Sequence, residues 1–426
     1  MKVLLCHNHY RVPGGEDQVF ADEARLLESS GLGVVRYVRH SDETEEMSSL
    51  ETLRHAFWSQ RAYDELREII RAETPDVMHC TNTFPLISPA AYDAARDEGI
   101  PVVQSLHNFR FLCLNGLLMR KNSACEDCLG KAVAWPGVLR GCYRNRRLAS
   151  AAMAGLIARQ RRRRLQDDPI TLYVALSEFS KRRFIKAGFP AERLVVKPNF
   201  VDPDPGPGTG DGEYALFVGR LSEEKGLDLL IDAWSRSTKM PPLKIVGDGP
   251  LSQPVRQAES ENQRVAWLGR RSIDDIYALL QKATCLILPS QCYENCPKTI
   301  LEAYSCGTPV VASDLGSLRE YVEDGITGRL FQPSNAGELA QAVQSFYCST
   351  EHPWRMRHAA RRAYEAHFTA DVNFRMLTRI YAQALGGPMD ALVPALAEGP
   401  DPSPQLPVLG NVDREKQAIL ARGEPR

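Results

Sequence analysis

The segment Tyr293-Glu-Asn-Cys-Pro-Lys-Thr-Ile-Leu-Glu-Ala-Tyr-Ser-Cys-Gly307 follows a short apolar run, Cys285-Leu-Ile-Leu-Pro289. The apolar run predicts a buried strand, and because proline suits the first turn of a helix, residues 297–306 are predicted to form the next helix. Glu294 then lies in the strand-to-helix loop, and Glu302 lies about one and a half turns into the helix. Free N–H groups at a helix start bind anions. Two carboxylates beside such a site suit a ligand with phosphates in the middle and hydroxyls at both ends, and a sugar nucleotide is such a ligand.

The length and composition favour a two-domain globular protein. The 426 residues are 43% hydrophobic and 25% charged, which are ordinary globular values. A formal net charge of −1 argues against a nucleic-acid partner. No apolar run reaches the length of a membrane span, and the apolar start of the chain is too short for a signal peptide. Eleven cysteines without an export signal fit the reducing cytoplasm, so a cytoplasmic location is predicted.

Short apolar runs alternate with helical patterns in both halves of the chain. The strands predicted in the first half are residues 2–6, 33–38, 77–80, 102–106, 173–176 and 194–197. The strands predicted in the second half are residues 215–218, 243–246, 265–268, 286–288, 310–312 and 328–331. This alternation is typical of an α/β protein with two doubly wound parallel sheets. Because such sheets bind ligands beyond the carboxyl ends of their strands, both domains are predicted to direct loops into a central cleft.

A stretch rich in proline and glycine separates the two halves and fits neither a helix nor a strand. The predicted parts are an N-terminal Rossmann-like domain on the acceptor side, a linker, a C-terminal Rossmann-like domain, a further helix and a disordered tail. In this order they are residues 1–201, 202–213, 214–369, 370–385 and 386–426, with a cysteine-containing insertion at 108–147 in the first domain.

Two cations follow the first strand of the second half, in Gly219-Arg-Leu-Ser-Glu-Glu-Lys225. Arg220 is predicted to stand at the carboxyl end of the strand, and Lys225 near the start of the next helix. Positive groups aimed at a leaving diphosphate stabilise the charge that develops on it. A solvated basic turn is the alternative for the two cations alone, and the glutamate pair favours the phosphate site.

Several segments resemble the nucleotide-binding domain of the retaining glycosyltransferases of family 4, which have the GT-B fold. The resemblance extends from the N-terminus to residue 385 and includes the glutamate pair and residues 217–227, 245–250, 265–269 and 307–322. It implies two Rossmann-like domains that face a central cleft, a nucleoside-diphosphate sugar as donor, and no cofactor for catalysis. Within the family, the chain resembles members of the capsule and surface-polysaccharide type.

The resemblance also implies a role for each matching residue. Arg220 and Lys225 hold the donor diphosphate. Glu302 binds the ribose hydroxyls, and Glu294 binds hydroxyls of the donor sugar. The other residues implied in donor binding are Gly14, Gly15, Gly219, Gly247, Leu268, Asn295, Cys296, Pro297, Lys298 and Thr299. The family frequently has Phe-Gly where Asn295-Cys296 stands, which leaves the identity of the sugar open.

In the first half, Pro13-Gly14-Gly15-Glu16 follows the first strand, and its two glycines let the backbone approach a ligand closely. The family has a similar first loop, and a tight turn without a ligand is the alternative. His107 ends the fourth strand, where the family places a catalytic histidine that faces the donor sugar. Asn108 stands next to it where Asp is common. Residues 82–84 are predicted to line the acceptor pocket, and His79 to be a packed core residue.

Four cysteines in the insertion, Cys113, Cys125, Cys128 and Cys142, form a C-x11-C-x2-C-x13-C pattern. A CxxC pair with two further thiols, in a segment with few apolar residues, fits a structural zinc ion with four thiolate ligands. Four unconnected reduced cysteines, or a redox-labile pair, are the alternatives. The chain resembles some family members of surface-polysaccharide type in this segment as well, and there the segment lies near the acceptor side.

An apolar stretch, residues 148–158, precedes the basic run Arg159-Gln-Arg-Arg-Arg-Arg164. This pattern predicts docking on anionic lipid at the inner face of the plasma membrane, which would favour a lipid-linked acceptor. A solvated basic face is the alternative. Asp202-Pro-Asp204 resembles a metal-binding D-x-D, but it lies in the predicted linker with no strand context.

Together with these patterns, the resemblance predicts a retaining glycosyltransferase that moves a hexosyl or related unit from a nucleoside diphosphate to a hydroxyl of a carbohydrate or lipid-linked acceptor. Its predicted role is in surface polysaccharide or glycoconjugate synthesis. The sequence offers no convincing carboxylate nucleophile of the kind used by retaining glycosidases. The resemblance therefore implies a same-face displacement in which the leaving diphosphate helps to deprotonate the acceptor. A sugar-nucleotide epimerase of the same fold and a non-catalytic sugar-nucleotide-binding protein are the alternatives.

Overall fold

The computed structural model describes residues 1–237, 239–348 and 351–387 of the chain. These residues form two compact units, the first made of residues 1–203, 295–298 and 369–387, and the second of residues 204–294 and 299–368. Residues 388–426, which include most of the predicted tail, lie outside the described residues. None of the described helices combines the length and the apolar character that crossing a membrane requires.

The described residues form fourteen strands, which include the twelve predicted from the sequence. The strands of the first unit are β1 (Lys2–His9), β2 (Gly33–His40), β3 (Val77–Asn82), β4 (Val102–Leu106), β5 (Met119–Arg120), β6 (Ser123–Ala124), β7 (Leu172–Ala175) and β8 (Leu194–Val196). The strands of the second unit are β9 (Ala215–Val218), β10 (Leu243–Val246), β11 (Val265–Gly269), β12 (Cys285–Leu288), β13 (Val310–Ser313) and β14 (Gly328–Phe331).

Helices separate most of these strands. They begin with α1 (Gly15–Ser29), α2 (Ser49–Phe57), α3 (Gln60–Glu73), α4 (Ala90–Asp97), α5 (Trp135–Leu139), α6 (Arg147–Gln166) and α7 (Glu178–Lys186). They continue with α8 (Leu227–Ser235), α9 (Ser252–Glu261), α10 (Ile273–Lys282), α11 (Lys298–Ser305), α12 (Leu318–Tyr321), α13 (Ala336–Ser345), α14 (Glu351–His367) and α15 (Ala370–Leu385).

The main sheet of the first unit is parallel throughout, with the strand order β2-β1-β3-β4-β7-β8. Its inner strands carry near-continuous apolar runs such as Val3-Leu-Leu-Cys6, because both faces of the sheet are covered. The register pairs Val3 with Val34 on one side and with Val77 on the other. β5 and β6 form a separate antiparallel ribbon in the predicted insertion.

The helix α15 completes the core of the first unit, although it is the last described helix of the chain. Leu377, Ile380 and Tyr381 belong to the same core cluster as apolar side chains of β1, β3, β4 and α1. The Tyr381 hydroxyl forms a hydrogen bond of 2.9 Å with Nδ1 of His79, whose Nε2 forms another of 2.8 Å with Ser105. Burial lowers the pKa of His79 to about 4, so this histidine is a neutral core residue.

A buried ion pair joins three elements of the first unit. Lys197, directly after β8, places Nζ 2.7 Å from Oε1 of Glu23 in α1 and 3.3 Å from Oδ1 of Asn373 in α15. Only 1% of the Lys197 side chain and 2% of the Glu23 side chain are exposed. Burial alone would raise the pKa of Glu23, but the charge of Lys197 outweighs this effect, and the pKa is lowered. Each partner depends on the other, because a buried charge without a counter-charge is strongly destabilising.

The sheet of the second unit is also parallel, with the order β11-β10-β9-β12-β13-β14. The order reverses between β9 and β12, and doubly wound sheets bind ligands at this switch point, beyond the carboxyl ends of the strands. Phe217, Trp234 and Ile287 lie in the core of the unit. The two sheets confirm the predicted α/β class with two doubly wound units.

The stretch predicted as a linker is bonded to the second unit from Asp204 onward. Gly208 N donates to Cys306 O at 2.9 Å, and Arg361 forms an ion pair of 2.6 Å with Asp204. This arginine holds the pKa of Asp204 below its usual value. The second aspartate of the D-x-D sequence therefore has a structural partner.

Candidate functional site

In the second unit, a lysine and a glutamate meet at the switch point of the sheet. Lys225 follows β9 and Glu294 follows β12, which are neighbouring strands. Lys225 Nζ donates to Glu294 Oε1 at 2.7 Å, and the Ser290 hydroxyl donates to the same oxygen at 2.7 Å. The Ser317 hydroxyl donates to the Glu294 carbonyl oxygen at 2.5 Å. These contacts fix Glu294 through both its side chain and its backbone.

The lysine of this pair keeps its charge in a confined place. Burial alone would lower the pKa of Lys225, but the charge of Glu294 and its hydrogen bond outweigh this effect, so the pKa is raised. The Lys225 side chain is 26% exposed, and the Glu294 side chain is 13% exposed. The pair is therefore a charged and partly accessible group, which is what binding a phosphate requires.

The other predicted residues of this unit lie in two environments. Arg220 lies two residues after the end of β9, and its side chain is exposed. Glu302 is buried, with 7% of its surface exposed, in the fifth position of α11. The helix begins at Lys298, one residue after the proline that the sequence analysis places first. Arg220 and Lys225 thus stand on the two sides of the same loop, as predicted from their spacing.

Two of the predicted glycines allow a close contact of backbone with backbone. Gly247 has a φ of +135°, and a Cβ atom there would lie 1.9 Å from the carbonyl oxygen of Gly219. The Gly247 carbonyl accepts a hydrogen bond of 3.0 Å from the Trp267 indole. Leu268, the next residue, is partly exposed in β11. The glycines after β9 and β10 therefore bring both loops together at the carboxyl edge of the sheet.

In the first unit, His107 follows β4 and lines a pocket. Burial lowers the pKa of His107 to about 3, so the imidazole is neutral at physiological pH. Its Nε2 atom is buried and has no hydrogen-bond partner among the described residues. A buried polar atom without a partner is costly unless a ligand satisfies it. This favours a binding role for His107.

The pocket has a polar and an apolar wall, and its volume, counted together with the solvent space at its mouth, is about 490 Å³. Its polar lining comes from the ends of β3 and β4 and the loops after them, and comprises Thr81, Asn82, Thr83, Gln104, Ser105, His107, Asn108 and Arg110. Its apolar lining is completed by α6 and comprises Phe84, Leu106, Phe111, Met153, Leu156 and Ile157. The guanidinium of Arg110 stacks over the Phe84 ring at 4.6 Å. Residues 82–84, which are predicted to contact the acceptor, thus line this pocket. The helix α6 lines it as well, and this contact was not predicted from the sequence.

Asn295 and Cys296, which depart from the family pattern, are both buried in the first unit. Asn295 Nδ2 donates to the carbonyl oxygen of His107 at 2.7 Å, and its Oδ1 accepts from the Ser180 hydroxyl at 2.6 Å. The Cys296 carbonyl accepts from Asn199 Nδ2 at 2.9 Å. The amide of Asn295 therefore positions the backbone of His107, a role for which a phenylalanine has no polar group.

The glycine loop before α1 is held by one carboxylate. Asp17 Oδ1 accepts from His7 Nε2 at 3.0 Å, from His9 Nδ1 at 2.9 Å and from Tyr10 N at 3.2 Å. Its Oδ2 accepts from Gly14 N at 2.8 Å. Burial alone would raise the pKa of Asp17, but these hydrogen bonds hold it at about 2. These bonds fix the backbone of the loop and leave Gly14 and Gly15 exposed at the start of the helix.

Glu16, the fourth residue of Pro13-Gly14-Gly15-Glu16, was quoted in the sequence analysis without a role. Its Oε2 accepts from the Tyr10 hydroxyl at 2.8 Å and from Asn108 Nδ2 at 3.2 Å, and its Oε1 is buried without a partner among the described residues. Burial raises the pKa of Glu16 to about 7. This contact also accounts for Asn108, because an aspartate there would place a second carboxylate beside Glu16. No short-range sequence signal connects the two residues, which are far apart in the chain.

The raised pKa of Glu16 predicts a dependence of stability on pH. The folded protein keeps a proton that the unfolded chain releases between the ordinary pKa of 4.5 and about 7, so the carboxyl lowers stability as pH rises through this window. Glu16→Gln is expected to match the wild type at about pH 4 and to be more stable at about pH 8, by at most about 3 kcal/mol. Thermal unfolding at the two pH values measures this difference.

Glu46→Gln is the control, because Glu46 is an exposed carboxylate of the same unit. Its difference from the wild type is expected to stay within about 0.5 kcal/mol at both pH values. An equal pH dependence in Glu16→Gln and in the wild type would show that Glu16 ionises normally.

The four cysteines of the insertion lie near one another, since Cys113, Cys125 and Cys142 each contribute to the raised pKa of Cys128, but no three of their sulfur atoms lie within 4.8 Å of one another. Of the described histidine, cysteine and acidic side chains, the group of three or more whose ligand atoms lie within 4.8 Å of one another is His7, His9 and Asp17. The Cys113 thiol instead donates to Asn115 Oδ1 at 3.0 Å. Burial raises the pKa of Cys128 to about 11. The predicted zinc therefore stays a prediction from the cysteine spacing.

Two family models match this chain. The model of the family described as Glycosyltransferase Family 4 matches residues 13–205, and the model described as Glycosyl transferases group 1 matches residues 212–349. The chain belongs to glycosyltransferase family 4. The two matches together cover the loops that carry Gly14, His107, Lys225 and Glu294.

Relatives of this family 4 glycosyltransferase include proteins from archaea and bacteria. An uncharacterized glycosyltransferase of Methanocaldococcus jannaschii is 31% identical over 153 residues, which are 35% of this chain and 43% of that protein. The alpha-D-kanosaminyltransferase of Streptomyces kanamyceticus is 26% identical over 298 residues, 68% of this chain and 73% of that protein. The matched part thus spans less than half of the first relative.

The fold is similar to that of solved GT-B glycosyltransferases. The crystal structure of Anabaena HepE in complex with UDP superposes with a TM-score of 0.63 over 90% of this chain and 100% of that chain, at 20% identity. The glycosyltransferase from Rickettsia africae gives a TM-score of 0.64 over 90% and 98% of the two chains, at 17% identity. These likenesses confirm the predicted GT-B fold.

Proposed function

We propose that this family 4 glycosyltransferase transfers a sugar from a nucleoside diphosphate to an acceptor hydroxyl with retention of configuration. The observation that carries the proposal is the Lys225–Glu294 pair, at 2.7 Å, at the switch point of the second sheet. A lysine held by a carboxylate is fixed in direction, and it supplies a charge to a diphosphate bound at this point. None of the hydrogen bonds of the Glu294 side chain described above uses Oε2, which we assign to a hydroxyl of the donor sugar.

The same residues support the departure of the nucleoside diphosphate. As the bond between the sugar C1 and the phosphate oxygen breaks, negative charge develops on the diphosphate, and Lys225 and Arg220 stabilise it. The free N–H groups at the start of α11 act in the same direction. The acceptor oxygen forms its bond to C1 on the face that the phosphate leaves, and its proton passes to the leaving phosphate oxygen. Glu302 is assigned to the ribose hydroxyls.

We assign the pocket of the first unit to the acceptor. Its polar wall provides hydrogen-bond partners for a carbohydrate, and the apolar wall from α6 packs against sugar rings or a lipid chain. His107, a neutral imidazole with an unpartnered Nε2, is assigned a hydrogen bond with a donor-sugar hydroxyl. A carbohydrate or lipid-linked acceptor of surface polysaccharide synthesis fits these properties.

The structural likeness gives a first choice of donor. The solved structures of Anabaena HepE include complexes with UDP and with UDP-glucose. We therefore propose a UDP-sugar as the donor. GDP- and ADP-sugars are tested in the same screen.

The test is a thermal-shift screen of UDP-, GDP- and ADP-sugars, followed by nucleotide release with the donor that raises the melting temperature. A ligand at about 100 times its Kd stabilises the native state by about 2.7 kcal/mol. We expect nucleotide release to require an acceptor alcohol, and the product to keep the anomeric configuration of the donor by NMR. Isomerisation of the sugar nucleotide without an acceptor would favour the epimerase. Binding without turnover would favour a non-catalytic protein, and an inverted product would contradict retention.

A further inference from the structure

One part of the first unit combines a high positive charge with exposed apolar side chains. From Cys128 to Gln166 the sequence has ten lysines and arginines and no aspartate or glutamate. The whole chain, by contrast, has 52 basic and 53 acidic residues. Such a segregation of charge within a nearly neutral protein is the electrostatic signature of an anionic partner.

The basic run predicted to dock on lipid is largely bonded within the protein. Arg163 forms an ion pair with Asp93, and Arg161 donates to the carbonyl oxygen of Lys131. Arg164 lies over the Phe189 ring at 3.5 Å. Three of the five arginines in this run therefore have partners in the folded chain. Arg159 and Arg162 of this run are exposed, and a second group of accessible positive charge lies at the other end of α6.

At that end, residues 144–148 are all exposed. Arg144, Arg146 and Arg147 lie there beside Leu148, which is 88% exposed. Arg144 has a φ of +53° and its neighbour Asn145 a φ of +55°, so the chain turns here through two left-handed backbone conformations. No ion pair of these three arginines is found in the described part of the chain. Their charge is available to a partner.

The short helix α5 adds an apolar face. Trp135 and Leu139 are one helical turn apart and are 55% and 61% exposed, and Val133 just before them is 48% exposed. This orientation is fixed by the opposite face, where a Cβ atom on Gly137 would lie 2.7 Å from Leu114 Cδ1 and 3.3 Å from Cys128 Sγ. Because the helix is packed this tightly on its inner side, the tryptophan and the leucine face solvent.

We propose that residues 131–148 form a docking surface for a bilayer with anionic headgroups. Val133, Trp135, Leu139 and Leu148 enter the boundary between headgroups and acyl chains. Lys131, Arg144, Arg146 and Arg147 contact the lipid phosphates. Tryptophan and leucine among arginines are the side chains that an interfacial anchor uses, whereas the phosphate backbone of a nucleic acid offers exposed aliphatic groups no apolar partner. This surface continues into α6, the helix whose Met153, Leu156 and Ile157 line the acceptor pocket.

The test uses the full chain without donor or acceptor, so it is independent of the proposed transfer reaction. We expect co-sedimentation with vesicles of phosphatidylglycerol and phosphatidylcholine, weak binding to pure phosphatidylcholine, and loss of binding at high salt. Arg144→Gln/Arg146→Gln/Arg147→Gln is expected to weaken partition on the order of 100-fold. Trp135→Ser/Leu139→Ser is expected to weaken it about 10-fold or more.

Matched controls exist in the second unit. Trp354→Ser replaces a tryptophan that is 63% exposed, and Arg236→Gln/Arg270→Gln/Arg271→Gln removes three exposed arginines. Both controls are expected to bind within about twofold of the wild type. Circular dichroism confirms that each variant is folded, and quenching by lipids brominated near the headgroup, present in the wild type and absent in Trp135→Ser, reports insertion directly.

Three results would overturn the proposal. They are the absence of binding to the anionic vesicles at low salt, unchanged binding of Trp135→Ser/Leu139→Ser, and equal loss in the control variants. Binding to heparin or DNA with no binding to vesicles would assign the charge to a polyanion instead.

Discussion

Lys225→Ala is expected to lower kcat/KM for the donor by about 10²–10³-fold, because it removes a positive group aimed at the diphosphate. Glu294 would lose its 2.7 Å contact with the ammonium group, so the donor-sugar contact that we assign to it would weaken as well. Arg220→Ala removes a second charge from the same loop and is expected to cost about 10²-fold. Steady-state kinetics with the donor identified by the thermal-shift screen measure both effects.

The control for this prediction is Arg236→Ala. Arg236 pairs with Asp232 at 2.7 Å as Lys225 pairs with Glu294, but on an exposed helix face, where such pairs contribute little. We expect its kcat/KM within about twofold of the wild type. Unchanged turnover in both Lys225→Ala and Arg220→Ala would show that the diphosphate binds elsewhere. A similar loss in Arg236→Ala would point to a general effect of charge.

Lys197→Met is expected to destabilise the first unit by about 3–5 kcal/mol, because it leaves Glu23 as a buried carboxylate without its counter-charge. Thermal unfolding should show a decrease in melting temperature on the order of 10 °C. The loss should be larger at about pH 8 than at about pH 5. The lone carboxyl takes up a proton in the folded state, so its folded pKa rises and stability falls as pH increases.

The double variant Lys197→Met/Glu23→Gln separates the pair from its individual charges. Removing both charges restores most of the loss, since replacing a whole buried ion pair by neutral groups is frequently close to neutral. If the double variant is as unstable as Lys197→Met, the lost hydrogen bond of Lys197 to Asn373, and not the lone charge, causes the effect.

Local patterns were sufficient to predict the strands of both sheets. Runs such as Ala215–Val218 and Val310–Ser313 are apolar because both faces of their sheet are covered, and this property is visible in the sequence itself. The position of Glu302 on α11 was also predictable, because it follows from a proline and a helical repeat. Predictions of this kind need only neighbours in the chain.

Contacts between distant residues were not predictable in the same way. Lys225 and Glu294 meet because β9 and β12 are adjacent in the sheet. This strand order cannot be derived from the sequence of either strand. The contact of Glu16 with Asn108 depends in the same way on the ends of β1 and β4. The zinc prediction stays a prediction, because cysteine spacing does not determine how closely the folded loop brings the thiols together. The resemblance to a family implies the roles of these residues, and the structure shows their partners.

The return of α15 to the first unit sets an order of events during synthesis. The core of that unit needs Leu377, Ile380 and Tyr381, which leave the ribosome after the other buried members of their core cluster. The second unit, whose last described residue is Phe368, has all of its parts earlier. The first unit is therefore the first to be translated and the last to complete its core. Until α15 is made, the apolar side chains that it covers stay exposed to solvent. A nascent chain stopped at Phe368 would carry every described residue of the second unit and a first unit in need of a chaperone.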